Sequence, residues 1–415
     1  MACTVLLVGS SVLLIGVVAF IAAKILLLKK AELAKPEVTV PATTTVGLPL
    51  RKPLLFCTVG YNFEEAEDLK KKMPCDYLIY SDVIANNKTF VPLYGPRSWS
   101  AFKTVLGEAP SSVTGGLSFS LSEGIGPDST FDIINKQQAA LQAFIRLRMI
   151  AMGTFDYEPT AGVPISSLKS FFKFLNKTLP RSPNSMVFLG VFLATNIIAD
   201  AFIADVSKIT EISTLIVETH ITLREAHLGG HTDCHAYPIS AVGIKNLANN
   251  TVPRLEVAEH AVNVSRSRGD LFRMVFSSTM GVMVYKQIQN KPISRFRDQC
   301  STWNMGDYDV TCDPDLNKQL EESDMASFAI VNSGQYLFSF EDDKSLKRKL
   351  ERYLPASSDG WCLFDVHRDV YWTCGINIPP SVQPNQAIDI SNSPQPMLRA
   401  EKVKALMSTI KRGNQ

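Results

Sequence analysis

The sequence predicts an α/β fold, a (β/α)8 TIM barrel, preceded by an N-terminal transmembrane or signal-anchor helix. Three observations predict it. From residue 54 onward, short apolar runs alternate with charged or amphipathic helix-favouring stretches. No glycine fingerprint for a dinucleotide follows the first apolar run, which removes the commonest reason to read the same alternation as a doubly wound sheet. A long apolar segment stands alone at the N-terminus.

Residues 4–23 are all apolar or small, and the apolar run resumes after Lys24 as residues 25–28. That is about the twenty residues a helix needs to span a bilayer. The segment has no polar stripe, so it is not a core helix of a soluble domain. No Lys or Arg precedes it, and a small-x-small exit is missing before Lys24, so an uncleaved anchor is favoured over a cleaved signal peptide. Lys24, Lys29 and Lys30 lie C-terminal to the span, which by the positive-inside tendency would put the body in the cytoplasm. The cysteines argue the other way. Residues 1–30 are therefore read as the anchor, 31–50, rich in Pro, Thr, Ala and Val, as a stalk linker, and 51–415 as the barrel domain.

Within that domain, residues 54–59 form the first apolar run, 64–72 a charged helix-favouring stretch and 77–80 a second run. Residues 117–121 follow, then 137–152, where apolar residues recur at helical spacing. Residues 167–175 are helical in period, 186–193 and 215–217 read as buried strands, and 257–264 as a helix. Residues 280–285 are strand-like, 346–354 an amphipathic helix, and 361–366 a strand. The Pro/Asn/Ser/Gln-rich stretch 378–395 links to a last helix, 397–411, with Leu398, Val403, Leu406, Met407 and Ile410 on one face. Strand-then-helix units of this length argue for parallel strands joined by crossover helices.

Composition excludes some functions. The chain is 46% hydrophobic and 20% charged, and 42 basic against 40 acidic residues leave a net charge of +2. This is a globular balance with no polyanion-binding bias, so no nucleic-acid partner is expected. Nothing calls for a cofactor.

Four segments then carry a specific resemblance. Phe338-Ser339-Phe340-Glu341-Asp342-Asp343 and the following Lys344 to Lys349 resemble the "YDDxxSxxxK" run before the last barrel strand of glycoside hydrolase family 18, the chitinases and chitinase-like lectins. On physical grounds Asp343 or Ser345 suits a helix cap, with Lys347 to Lys349 on the wet face. Gly360-Trp361-Cys362-Leu363-Phe364-Asp365 resembles the family's final "GGVMxW" strand, and Gly281 to Tyr285 its "GxPFY" seventh strand. Cys57 and Cys75 resemble the disulfide that ties the first two strands.

The fourth segment is where the chemistry belongs. The family carries DxxDxDxE at the end of the fourth strand, its Glu protonating the glycosidic oxygen and the Asp two places earlier orienting the substrate's own attacking N-acetyl group. The matching stretch here is Ala151-Met152-Gly153-Thr154-Phe155-Asp156-Tyr157-Glu158. Asp156 and Glu158 stand as catalytic candidates, while Ala151 and Thr154 replace the two earlier acids. Strand alternation predicts that Thr154, Asp156 and Glu158 share the barrel mouth. Glu218-Thr219-His220-Ile221 stands where the family has "MxYD", and Phe364 where it has the Trp that floors the sugar site. The resemblance implies a glycan partner, chitin or another N-acetylglucosamine polymer, with Phe364, Tyr285 and Tyr157 as substrate contacts. The damaged acid series implies binding with lost or weakened hydrolysis; an active N-acetylglucosaminidase using Glu158 is the alternative.

Apart from Cys3, seven cysteines remain: Cys57, Cys75, Cys234, Cys300, Cys312, Cys362 and Cys374. An odd count leaves one thiol over, and Cys362, inside an apolar strand, is the expected one. Sequons stand at Asn87, Asn176, Asn249 and Asn263, close to the number that chance alone supplies. Cysteines and sequons favour a lumenal or extracellular body, anchored through the N-terminal helix or secreted. One constellation points elsewhere. His227, His231 and His235, with Asp233 and Cys234 between them, have the residue types of a zinc site, but Gly229-Gly230 interrupts any helix there. A polar loop with Cys234 in a disulfide is the favoured reading, and no metal is expected.

Overall fold

The computed structural model describes residues 52–60, 63, 73–85, 90–121, 134, 136–159, 164–222, 234–243, 252–311, 316–369 and 399–412. The expected anchor, the stalk, the 64–72 helix and the 378–395 linker lie outside the described residues, as do Cys312 and Cys374. Among the described residues no helix is long and apolar enough to cross a membrane.

The strands are β1 (Leu54–Val59), β2 (Tyr77–Ala85), β3 (Phe90–Pro92), β4 (Thr114–Phe119), β5 (Met149–Tyr157), β6 (Met186–Phe192), β7 (Thr214–Glu218) and β8 (Arg273–Thr279). They continue as β9 (Val282–Gln287), β10 (Cys300–Gly306), β11 (Lys318–Glu321), β12 (Ala326–Val331), β13 (Tyr336–Phe340) and β14 (Gly360–Phe364). Eight of these, β1, β2, β4 to β8 and β14, pair in parallel. Pairing of β14 with β1 closes the ring. The predicted (β/α)8 barrel is the observed one. Helices α1 (Gly95–Glu108), α2 (Gln138–Arg146), α3 (Lys169–Thr178), α4 (Asn196–Val206), α5 (Leu255–Arg268), α6 (Asp343–Tyr353) and α7 (Arg399–Arg412) accompany it.

Strands covered on both sides bury side chains of both parities, which is why their runs read as continuously apolar. Phe56, Ile79, Ala151, Phe188, Ile216, Val275, Cys362 and Phe364 pack together inside the barrel. Leu55, Leu78, Met152, Leu189, Leu215, Phe276 and Trp361 point the other way, into the larger cluster that includes buried residues of the helices. The Cys57–Cys75 disulfide lies in this outer layer and joins β1 to the start of β2.

Between β8 and α6 the chain builds a second, antiparallel sheet in the order β10-β9-β13-β12-β11. Residues after β7 pack against one of its faces through Ile221, Ala236 and Ile239. The Ile239 N–H donates to Ser339 Oγ at 2.7 Å, and a Cys234–Cys300 disulfide fastens this segment to β10.

Three expectations need correction. The 280–285 run is not the seventh barrel strand: that strand is β8, and β9 opens the inserted sheet. Ser277, Ser278 and Thr279 thin the apolar signal of β8, so the more apolar β9 stands out instead. The 137–152 helix ends at Arg146, because Arg148 adopts φ 64° and sends the chain into β5. Its guanidinium holds that break by donating to the carbonyls of Pro110 and Ala109. Third, Lys349 does not sit on the wet face of α6. It is fully buried and ion-paired with equally buried Glu341. The N-cap is Asp342, whose carboxylate accepts from the N–H groups of Lys344 and Ser345, while Ser345 Oγ returns to Asp342 N–H in a capping box.

Removing one partner of a buried pair strands the other charge, at about 3–5 kcal/mol. Lys349→Ala should therefore lower stability by about that much in urea unfolding, and Glu341→Leu with Lys349→Met should recover most of it. Non-reducing peptide mapping should return Cys57–Cys75 and Cys234–Cys300, with the Cys362 thiol, buried in the barrel, reacting only after unfolding.

Candidate functional site

In parallel barrels chemistry sits where the strands end, so a site belongs at the mouth formed by their C-terminal ends. There β5 contributes Ala151 and Phe155 to the interior cluster, and alternation puts Gly153 on the same side. Thr154 shares the parity of Met152 and faces the helices, so it does not line the mouth as expected. β5 pairs with β6 as far as Thr154↔Leu189 and resumes at Tyr157↔Val191, so it carries one extra residue at its end. Such a bulge reverses the alternation and re-aims the side chains beyond it. Asp156 falls in this bulge; only its backbone is described. Glu158 comes directly after it, half-buried.

Phe155 therefore holds the inward position. Its ring lies 4.9 Å from Phe188 and 5.0 Å from Phe364. Gly190 makes room for it, since a Cβ there would meet Phe155 Cδ1 at 2.6 Å, and Gly153 lets β5 approach β6, since a Cβ there would meet the Phe188 carbonyl oxygen at 1.9 Å. Phe364 occupies the end of the last barrel strand, where the sequence places it, but only 8% of it is exposed.

His220 completes this layer, its ring 4.6 Å from Phe364. Ser277 Oγ accepts the Thr219 N–H at 2.9 Å and donates to the Val217 carbonyl at 3.3 Å. His220 Nδ1 lies 2.8 Å from the same oxygen, and Nε2 is buried and without a partner among the described residues. An unsatisfied buried polar atom costs roughly 1–3 kcal/mol. Burial, helped by the Lys349 cation, lowers the imidazole pKa to about 3, so the ring stays neutral at physiological pH.

Other mouth hydroxyls are spent on the backbone. Thr58 Oγ1 accepts from Asp365 N–H, Ser118 Oγ from Phe155 N–H and Thr279 Oγ1 from Gly281 N–H. Glu218 is buried at the end of β7. Burial, with help from Glu218, pushes the neighbouring Cys362 thiol well above its ordinary value, so it is no nucleophile. Burial likewise raises the Asp365 carboxyl, against the pull of Arg368.

Two expected sugar contacts are not at the mouth. The bulge turns Tyr157 outward onto Phe202 of α4, ring to ring 5.7 Å, and burial raises its phenol to about 12. Tyr285, 2% exposed, is packed in the cluster on one face of the inserted sheet, because β9 left the barrel. The zinc constellation loses its thiolate to the Cys234–Cys300 bond. His227 and His231 lie outside the described residues, and His235 is half-buried beside Tyr237. Among the described residues no group of three metal-binding side chains gathers. A cavity of about 530 Å³ lined by Leu54, Tyr77, Met186 and Arg273 opens at the opposite end of the barrel, where parallel barrels do not carry chemistry.

Phe155 and His220 are the mouth residues that sequence reasoning missed as site members. The signal for Phe155 was the pair Gly153 and Gly190, the first letting adjacent strands approach and the second leaving space for a ring.

No protein-family model matches the chain, and no curated protein matches it. Solved structures do. The Group IV chitinase of Ostrinia furnacalis superposes with a TM-score of 0.61 at 11% identity, covering 86% of this chain and 99% of that one. Human YKL-39, a pseudo-chitinase with retained chitooligosaccharide binding properties, gives 0.58 at 12% identity over 85% and 99%. The class V chitinase of Nicotiana tobaccum gives 0.54 at 10% identity over 78% and 99%. The barrel with its inserted sheet is thus the fold of chitinases and of a pseudo-chitinase alike.

A depressed histidine pKa means that the unfolded chain binds a proton the folded one refuses. His220 should therefore cost about 1.4 kcal/mol of stability per pH unit as pH falls from about 6.5 toward 3, and nothing above 6.5. His220→Phe should flatten that slope in unfolding measured from pH 4 to 7, and the wild-type ring should show no NMR titration above pH 5.

Proposed function

We propose that the chain is a chitinase-like glycan-binding protein of the secretory pathway, a degenerate relative of glycoside hydrolase family 18 with lost or weakened hydrolysis. The observation that carries this reading is Phe155, a phenyl ring on the inner face of β5, tilted against Phe188 and edge-on to Phe364. Substrate-assisted hydrolysis needs carboxylates there to hold the acetamido group and support an oxocarbenium charge. Ahead of the bulge the inner face of β5 offers Ala151, Gly153 and Phe155, and the two earlier acids of the resemblance are replaced by Ala151 and Thr154. Glu158 stays at the strand end, beyond the bulge.

The same layer suits binding. Aromatic faces pack against the apolar faces of sugar rings, and the unpartnered His220 Nε2 offers one hydrogen bond to a hydroxyl or acetamido group, directly or through one water. Likeness to YKL-39 and to the chitinases alike supports chitooligosaccharide binding. The two disulfides support an oxidising compartment. The apolar residues 4–23 support a membrane anchor and the disulfides a body outside the cytoplasm, with secretion as the alternative.

Calorimetry and a hydrolysis assay on N-acetylglucosamine oligomers test the proposal. Wild type and Glu158→Gln should bind alike and neither should turn over. His220→Leu should weaken binding about tenfold, the loss of one hydrogen bond worth about 1.4 kcal/mol. Turnover that falls 10²–10⁴-fold, the typical contribution of a general acid, in Glu158→Gln would establish the enzyme reading instead.

A further inference from the structure

Two of the four sequons lie on described helices, and both present their asparagine to solvent. Asn176, followed by Lys177 and Thr178, stands in the last turn of α3, and Asn263, followed by Val264 and Ser265, stands in the middle of α5. Both asparagines are exposed, while the same helices bury Phe171, Phe172 and Leu175, and Val262 and Ser265, respectively. An asparagine on the inner face of either helix would have closed the question, because a glycan cannot be packed between helix and barrel.

Ordered hydroxyls do not bar the reaction. Thr178 Oγ1 donates to the Phe174 carbonyl at 2.9 Å in the finished helix, and Ser265 is buried. Transfer takes place on the extended nascent chain, before either contact exists. What the fold must then supply is an outward asparagine, and here it supplies two. The Cys57–Cys75 and Cys234–Cys300 bonds support a body in the oxidising compartment where such transfer occurs.

We propose that Asn176 and Asn263 each carry an N-linked glycan, directed from the foot and the flank of the barrel so that the mouth stays open. The donor is a lipid-linked oligosaccharide pyrophosphate. A bond forms between asparagine Nδ2 and the anomeric carbon, and the anomeric carbon–phosphate oxygen bond breaks. The lipid pyrophosphate leaves with the bonding pair, and the amide gives one proton to a base. Direction follows from the barrel: α3 runs from the mouth toward the start of β6, so its last turn lies at the foot, and Asn263 lies halfway down α5. The proposal rests on the secretory placement and not on glycan binding at the mouth.

The test uses full-length protein made in the secretory pathway of a eukaryotic cell. It is digested after peptide N-glycosidase treatment in heavy-oxygen water, which turns each glycosylated asparagine into labelled aspartate. The peptides containing Asn176 and Asn263 should both carry the label, and Asn176→Gln and Asn263→Gln should each remove one glycan from the intact mass. Recovery of either peptide with unmodified asparagine overturns the proposal at that site, whatever the protein binds.

Discussion

One guanidinium holds the two sheets and the last helix in a common frame. Arg399, at the start of α7 and 1% exposed, donates through Nε to Asp369 at 2.7 Å, through Nη2 to the Met280 carbonyl at 2.8 Å, and through Nη1 to the Glu341 carbonyl. Its plane also lies 3.5 Å from the centre of the Tyr308 ring. Met280 is the exit from the barrel into the inserted sheet, Glu341 the return, and Asp369 follows the closing strand. A planar fork with five donors is the side chain that can tie three such points at once. Beside it, Glu341 turns its carboxylate to Lys349 and Ser345, so the re-entry point is fixed by backbone and side chain together.

That frame lets the barrel carry a large insertion without losing its closure. The β14–β1 pairing depends on Gly360, where a Cβ would meet the Leu54 carbonyl oxygen at 2.4 Å. With closure secured, the interior has only to be filled. Toward the mouth it is filled by Phe188, Phe155, Phe364 and His220, a layer of rings in mutual contact. A neutral imidazole and three phenyl groups lower the local polarity, which opposes charge development and favours packing against a neutral ligand.

Much of this was legible. The alternation of apolar runs and amphipathic stretches marks six of the eight barrel strands, because a strand covered on both faces must be apolar along its whole length, and β5 was placed by the resemblance. The Cys57–Cys75 bond and the leftover Cys362 followed from the family pattern and the odd cysteine count. The seventh barrel strand, β8, was obscured by its own serines, which turn out to be structural: Ser277 anchors Thr219 and His220, and Ser278 accepts from Trp361 Nε1. Helix α4, nearly all apolar, showed no period to read.

Sequence by itself determined the class of fold, the first disulfide and the place of the 151–158 segment at the end of the fourth barrel strand. These are local or one-dimensional properties, set by hydropathy period and motif order. Only the tertiary structure decided which side chains face the mouth. Strand parity has a period of two, so one extra residue in β5 sends Tyr157 to the helices, and a register one residue away from the expected one turns Thr154 outward and Phe155 inward. No motif records that register, because it is set across strands, by where Gly153 lets β5 approach β6 and Gly190 allows a ring to lie.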